Sequence, residues 1–439
     1  MKSWFGPRWV AAGLALAGLA ACGGGDDEIL LGEREALGRA ATEDATVENQ
    51  SLPISLRTAQ ANASWTHPGG SATHTIPHPS FASSPALAWS SPIGAGDGRR
   101  QRINAQPVVV DGRVFTVDSE GVVAATSTSG ANLWTRDLTP STESRGQGGS
   151  HGLSFGGGQL YVNTAFGEVV ALDPASGTEI WSQAIESQAG GSTTYFDGRL
   201  YVASRDSVGW TLDAETGRID WQINGTPSGS GYLGGAGPAV TSDLAIFPFS
   251  SGELVATFRR GGVQRWNATV LGARDGVAYS QISDLSADPV VDGDRVYVAN
   301  AAGRLVALDL NTGSRLWTAR EGAARPPAVA GGSVFILNDQ NRLMRLDASD
   351  GETIWSVNLP LFVEENENRQ ETIFAHNGPV LAGGRLWLAS SDGQLRGFNP
   401  ESGALLTSVG IPGGAATAPV LAGGVMYIVS KNGQLLAFR

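Results

Sequence analysis

From about residue 85 to the C-terminus, apolar and polar positions alternate in short runs, and pairs or triplets containing glycine interrupt them. The fullest unit reads Val290-Val291, Asp292-Gly293, Arg295-Val296-Tyr297-Val298-Ala299-Asn300, Ala302-Gly303, Arg304-Leu305-Val306-Ala307-Leu308-Asp309, Asn311-Thr312-Gly313, Ser314-Arg315-Leu316-Trp317. Alternation with a period of two marks strands, and the glycine-bearing breaks mark hairpins. The unit is therefore predicted to be four short antiparallel strands joined by three tight turns.

The unit recurs. The turn before its last strand returns as Asp173…Gly177, Asp213…Gly217, Asp309…Gly313, Asp347…Gly351 and Asn399…Gly403. Asp or Asn accepts from turn amides, and glycine takes a left-handed conformation that other residues adopt only with strain. Four residues beyond the glycine stands a tryptophan: Trp134, Trp181, Trp221, Trp266, Trp317 and Trp355, with Thr407 at the seventh place. A four-stranded unit of about 45 residues with an aromatic anchor is the signature of a propeller blade. The C-terminal unit, from Pro419 to Phe438, has only three strands, and Leu87 to Ser91 with Trp89 in register supplies the fourth. The expectation is an all-β, eight-bladed β-propeller of four-stranded antiparallel blades over residues 84–439, its last blade closed by an N-terminal strand so that no sheet edge stays open.

The first residues read differently. Lys2 and Arg8 precede an apolar run from Val10 to Ala21, the layout of an export signal and too short for the roughly 20 residues that span a bilayer. The run ends Leu19-Ala20-Ala21-Cys22, which resembles the lipobox of bacterial lipoproteins, and Cys22 is the only cysteine of the chain, so no internal disulfide can form. Residues 1–21 are read as a lipoprotein signal peptide, and Cys22 as the lipid-attachment site. Gly23 follows Cys22 where a retention signal would place Asp, which implies the outer membrane, facing the periplasm. Residues 22–83 lack periodicity and are read as a lipidated flexible tether with one short helix near 29–38. A coil of that length reaches roughly 40 to 50 Å. His67, His74 and His78 in it are taken as linker residues and not as a metal site.

The net charge of −12 removes nucleic acid from the partner classes, since phosphate backbones need basic surface. The long connections, near 138–152, 225–237, 269–286 and 358–377, all join one blade to the next and so share one face. That face, with Tyr232, Leu233 and Phe362 in its loops, is the expected binding surface.

The repeat Gly-x-Leu/Val-x-Ala-Leu-Asp-x-x-Thr/Ser-Gly-x-x-x-Trp resembles that of the pyrroloquinoline-quinone-dehydrogenase-like propellers. Within them, the segment from Ile282 to Val291 running on to Trp317 is similar to the BamB family of outer-membrane assembly lipoproteins. The resemblance covers about 84–439. It implies a non-catalytic scaffold without cofactor or metal, binding the periplasmic POTRA domains of the barrel protein BamA, joined with other subunits of the assembly machine and with nascent outer-membrane proteins. By position the contact maps to the loop at Tyr232 and Leu233 and to the turn from Asp284 to Asp288. Leu233 stands where the family implies a basic residue, so an arginine contact is not expected there.

Two other classes compete. A quinoprotein enzyme would hold its cofactor in the channel, commonly on a vicinal disulfide beside calcium. With Cys22 spent on lipid and no concentrated Glu/Asn/Asp set, neither is expected. His151 and His376 are the only histidines of the propeller and are read as exposed loop residues, not as a base beside a serine. An envelope-glycan binder would use spare aromatics such as Trp210 and Trp387, which are read instead as packing residues.

Overall fold

The computed structural model describes residues 48–146, 150–229, 235–272, 274, 284–366 and 369–439. The signal peptide, Cys22, and the helix foreseen at 29–38 lie outside them, as do Tyr232 and Leu233. The described residues form eight four-stranded antiparallel sheets. Seven are consecutive meanders, spanning 108–137, 152–184, 194–224, 239–269, 290–319, 328–358 and 376–410. The eighth takes three strands from 420–438 and its outermost strand, Leu87–Pro92, from the other end of the chain. That strand pairs with Gln434–Phe438, Trp89 opposite Ala437, so the ring closes as the repeat predicts.

The blades are joined by one repeated contact. Each anchor tryptophan lies on an outermost strand and packs on the turn glycine of the following blade: Trp89 on Gly130, Trp134 on Gly177, Trp181 on Gly217, Trp221 on Gly262, Trp266 on Gly313, Trp317 on Gly351 and Trp355 on Gly403. Those glycines all have positive φ, and a Cβ at Gly313 would lie 2.7 Å from the Trp266 ring. Glycine is thus required twice, for the turn and for the neighbour's ring. In five turns the Asp or Asn oxygen accepts from turn amides, and the carbonyl of the next residue accepts from the preceding blade's indole Nε1, as Leu310 does from Trp266 at 2.8 Å. Hydroxyl donation by Ser176, Thr216, Thr312 and Ser349 holds Asp173, Asp213, Asp309 and Asp347 below the usual carboxylate range. Ser127 and Phe258 lead the two remaining turns, and there the Nε1 of Trp89 and Trp221 finds no partner. The anchor's own strand carries a bulge just before the tryptophan, and in every anchored blade but one a small residue, usually alanine, faces the ring.

Thr407 departs from the pattern because the blade after it has no such turn. There the last blade's third strand is the C-terminus and its fourth strand begins anew at Leu87, so a tryptophan would have no turn glycine to cover. Thr407 Oγ1 instead donates to the Ser83 carbonyl at 3.2 Å, and Arg385 reaches the same carbonyl at 2.7 Å.

The flexible tether expected over 22–83 is corrected for its described part, 48–83. This arm is seated on the propeller and hydrogen-bonds to all eight blades. Its backbone partners are Val109, Phe155, Val240, Val291, Ile354, Gly383 and Gly423, and the Tyr195 amide donates to His67 Nε2. Trp65 is 2% exposed. Arg345 stands opposite Trp355 where the other anchored blades have alanine or threonine, and its guanidinium donates to the Leu52 carbonyl at 2.6 Å and to the Pro53 carbonyl at 3.3 Å. The composition resembles a linker because the arm meets each blade through different residues and no pattern repeats. The histidines are likewise not linker residues: His67 and His74 are buried, and His78 Nε2 accepts from the Gly384 amide.

Two outcomes are expected. Gly313→Ala should cost about 2 to 4 kcal/mol, a left-handed strain of about 1 plus overpacking of Trp266. Gly293→Ala, in a turn with open space around it, should cost only the strain. Equal urea midpoints for the two variants would remove the inter-blade contact as a cause. For His67, burial first and then nearby His74 lower the pKa from 6.5 to about 3. Between those values the unfolded chain binds the extra proton, so stability falls as pH falls, by about 1.4 kcal/mol per unit from this group. In urea titrations from pH 7 down to 4, His67→Gln should show a slope shallower by that amount.

Candidate partner-binding face

In a four-stranded blade, the first and third turns open on one face, and the second turn and the inter-blade connection open on the other. The arm's partners lie in or beside the first turns, or, for Ile354, beside the third turn of its blade, so the arm covers the first face. The second face carries the long connections and is left open by the arm.

On that face the connection from the sixth to the seventh blade folds into a hairpin. Phe362 bridges Ile373, the Val363 amide donates to the Thr372 carbonyl at 2.9 Å, and the Phe374 amide donates to the Leu361 carbonyl at 2.8 Å. Leu361, Phe362, Val363 and Ile373 are 37%, 38%, 45% and 54% exposed. Four adjoining exposed apolar side chains on one element differ from scattered surface leucines and mark a contact surface. Exposed Glu364, Glu365 and Glu371 border them, so the hairpin is apolar with an acidic rim. Phe362 was legible as a loop apolar residue. Leu361, Val363 and Ile373 were missed, although Pro360-Leu361-Phe362-Val363 followed by a polar stretch and Thr372-Ile373-Phe374 is a hairpin pattern in the sequence.

The hairpin leans over the mouth of the central channel, a cavity of about 590 Å³ lined by Val363 and Ile373 together with Asp97, Arg102, His151, Asp288 and Lys431. Gly235, where the 225–237 connection re-enters the described residues, lines the same mouth. Its lining carries both acids, Asp97 and Asp288, and bases, Arg102, Arg325 and Lys431. The connection between the fourth and fifth blades is pinned by Arg274, which pairs with Asp339 at 2.9 Å and Glu321 at 3.1 Å.

The acids singled out from sequence divide. Asp288 is at the channel mouth, its Oδ1 accepting from the Gly237 amide at 2.7 Å, and so ties two inter-blade connections together. Asp284 is 4% exposed, which corrects its reading as a partner contact: a carboxylate so enclosed presents nothing to a docking surface.

The histidines are corrected too, since both are buried rather than exposed. Burial lowers the His151 pKa to about 4, the charge of Asp118 opposing it. His376 Nδ1 lies 2.6 Å from Ser390 Oγ, and its Nε2 lies 2.8 Å from the Pro360 carbonyl. Nε2 therefore carries the proton and Nδ1 accepts from the serine, a base–hydroxyl pair in form. Ser390 is 0% exposed, so its hydroxyl meets no substrate and the pair locks the base of the hairpin onto the seventh blade. Burial also lowers the His376 pKa. Trp210 and Trp387 are buried with their Nε1 groups bonded to Ser204 Oγ and the Ala382 carbonyl, and Phe81 of the arm meets Trp387 edge-on at 5.2 Å. Neither offers a ring to a glycan.

Among the described residues no three His, Cys, Asp or Glu side chains gather as metal ligands. With Cys22 the sole thiol, the residues present do not fit a quinone on a vicinal disulfide beside calcium. The fold and this site define an eight-bladed β-propeller of repeated four-stranded blades, with one face covered by the arm and an apolar hairpin on the other. Residues 119–357 and 365–439 match the family described as outer membrane protein assembly factor BamB, and the chain belongs to that family. The BamB protein of Yersinia pestis is 26% identical over 245 residues, which are 55% of this chain and 62% of the relative's length. The crystal structure of BamB from Moraxella catarrhalis shares the fold with a TM-score of 0.66 at 17% identity, over 81% of this chain and 99% of that one. The quinohemoprotein alcohol dehydrogenase of Comamonas testosteroni shares it with a TM-score of 0.65, also at 17% identity, over 87% and 81%.

If the hairpin is solvent-facing as described, the double variant Phe362→Ser/Ile373→Ser should change unfolding free energy by no more than about 1 kcal/mol. Trp387→Ala should cost about 3 to 5. A hairpin variant as costly as the core truncation would show that its apolar side chains pack closed in solution.

Proposed function

We propose that this chain is a non-catalytic scaffold for assembling β-barrel proteins in the outer membrane, anchored there through lipid on Cys22 and facing the periplasm. It binds the POTRA domains of BamA through its open face and works beside other subunits of the assembly machine. The observation that carries this reading is the asymmetry of the two faces: the chain's own arm occupies one, while the other presents an apolar hairpin at the channel mouth. Family membership supports it, and the chain's match spans 62% of the length of the Yersinia relative. The likeness to the quinohemoprotein dehydrogenase is one of fold, at 17% identity.

The contact proposed here includes the 225–237 connection with Tyr232 and Leu233, and extends across the mouth past Asp288 to Phe362 and Ile373, since Gly235, Asp288 and Ile373 line one cavity. Apolar anchors inside a polar rim are the usual arrangement of a hot spot. The lipidated protein in detergent should bind the POTRA domains of the same organism, and Phe362→Ser/Ile373→Ser should weaken binding at least about tenfold, the equivalent of 1.4 kcal/mol. No binding by the parent protein would sink the proposal. Cys22→Ser should abolish fatty-acid labelling and release the protein from the envelope while leaving that affinity intact.

A further inference from the structure

The third turn of the fourth blade departs from its repeat. Asp or Asn leads the same turn in five other blades, whereas here Phe258 leads it, followed by Arg259, Arg260, Gly261, Gly262 and Val263. The change leaves Trp221 Nε1 without a hydrogen-bond partner, and burial does not offset that loss, since Phe258 and Val263 are 43% and 64% exposed. The Phe258 amide donates to the Val263 carbonyl at 2.8 Å, so one short turn presents both side chains. Exposed Arg260 and Arg265 accompany them, the Arg265 guanidinium 5.9 Å from the centre of the Phe258 ring. Neither arginine makes an ion pair among the described residues, whereas buried Arg259 is answered by Asp197 at 2.9 Å. Asp243, whose carbonyl accepts from the Arg259 amide, offsets part of the charge. Residues 254–274 nevertheless hold four arginines and no Asp or Glu, in a chain of net charge −12.

This apolar tip with a basic rim is the counterpart of the hairpin on the open face. There Glu364, Glu365 and Glu371 border the exposed apolar side chains and make no ion pair among the described residues, and Arg369 offsets one of them. We infer that the Phe258 turn of one copy of this chain docks on the Phe362 hairpin of a second copy, apolar side chains against each other and arginines against glutamates. A second copy answers both patches at once. An anionic bilayer would meet the arginines and leave the hairpin's carboxylates unanswered. The two patches lie on opposite faces, so the contact is heterologous: each copy keeps one patch free, and association runs head to tail without closing. Each patch is one turn or hairpin, well under the roughly 800 Å² per partner of a standard interface, so a dissociation constant on the order of 0.1 to 1 mM is expected. The hairpin is also the proposed contact for BamA. Self-association does not depend on that assignment, and the two occupants exclude each other.

The test is sedimentation equilibrium of the full chain in density-matched detergent, with micelles in excess, from about 0.02 to about 0.5 mM protein. The mean protein mass should rise above the monomer's with concentration, and rise less at about 0.5 M salt, where charges are more strongly screened. Arg260→Glu/Arg265→Glu makes the turn acidic, and Glu364→Lys/Glu365→Lys makes the hairpin basic. Each variant alone should stay monomeric, with a melting curve like the parent's. An equimolar mixture of the two should associate again, because each variant's turn then meets an oppositely charged hairpin on the other. A parent protein that stays monomeric at the highest concentration would overturn the inference, and so would variants that associate like the parent or a mixture that does not recover. Binding of the monomer to phosphatidylglycerol vesicles through Arg260 and Arg265, without self-association, would overturn it in favour of a lipid contact. No POTRA domain is present in these measurements, so their failure is distinct from failure of the scaffold role.

Discussion

The ring rests on one contact, an indole laid on the backbone of the next blade's turn. A blade is a small twisted sheet that cannot bury both of its faces alone. Its anchor tryptophan supplies the largest single apolar surface at the outer edge, and the following turn accepts it only where glycine leaves the space. The Asp or Asn at the head of the turn orders the amides, and the next carbonyl then meets the indole N–H. Turn chemistry and inter-blade packing are thus one feature, which explains why the two signals travel together along the sequence. Where Ser127 or Phe258 heads the turn, the ring still packs and the hydrogen bond is lost.

That contact cannot be made where the chain ends meet. The eighth blade's outer hairpin is split between Arg439 and Leu87, and the local solution differs: Thr407 and Arg385 bond to Ser83, the Ala86 and Arg439 backbones exchange hydrogen bonds, and Phe81 packs on Trp387. The seam therefore recruits the segment that precedes it. From there the arm follows the first turns of the blades round the ring, giving backbone partners to sheet ends that would otherwise face water. Covering one face in this way leaves the opposite face as the larger free surface.

The propeller was legible because its determinants are local and repeated: an alternation, a glycine, an aromatic at fixed spacing. Even the closure by Leu87 to Ser91 followed from counting strands and finding Trp89 in register. The arm was not legible, because it spreads different contacts over eight different blades and so has no period. Its composition satisfies every compositional sign of a linker while Trp65, His67 and His74 are buried. One sign stood in the repeat itself: Leu-Met-Arg-Leu-Asp at 343–347 replaces the Leu-Val-Ala-Leu-Asp form, and that arginine clamps Leu52 and Pro53. Burial of His151 and His376 escaped the sequence for a related reason, since a loop residue beside a blade end can be enclosed by its neighbours without any pattern of its own.

Separation of constraint from variation follows from the meander. The turns that receive the tryptophans lie on the covered face, so the requirement for Asp, glycine and fixed length falls entirely there. The inter-blade connections on the open face carry no part of that contact. Their length and side chains are free to change at little cost to the ring, provided that bonds such as Arg274 to Asp339 or His376 to Ser390 hold their bases. The apolar hairpin that pairs 361–363 with 372–374 can therefore be carried on the ring without weakening it, and a hairpin held by its own backbone pairing loses less conformational entropy on docking than a free loop would. A scaffold needs that combination more than an enzyme does, because its partner is selected by surface and not by a buried constellation of reacting groups.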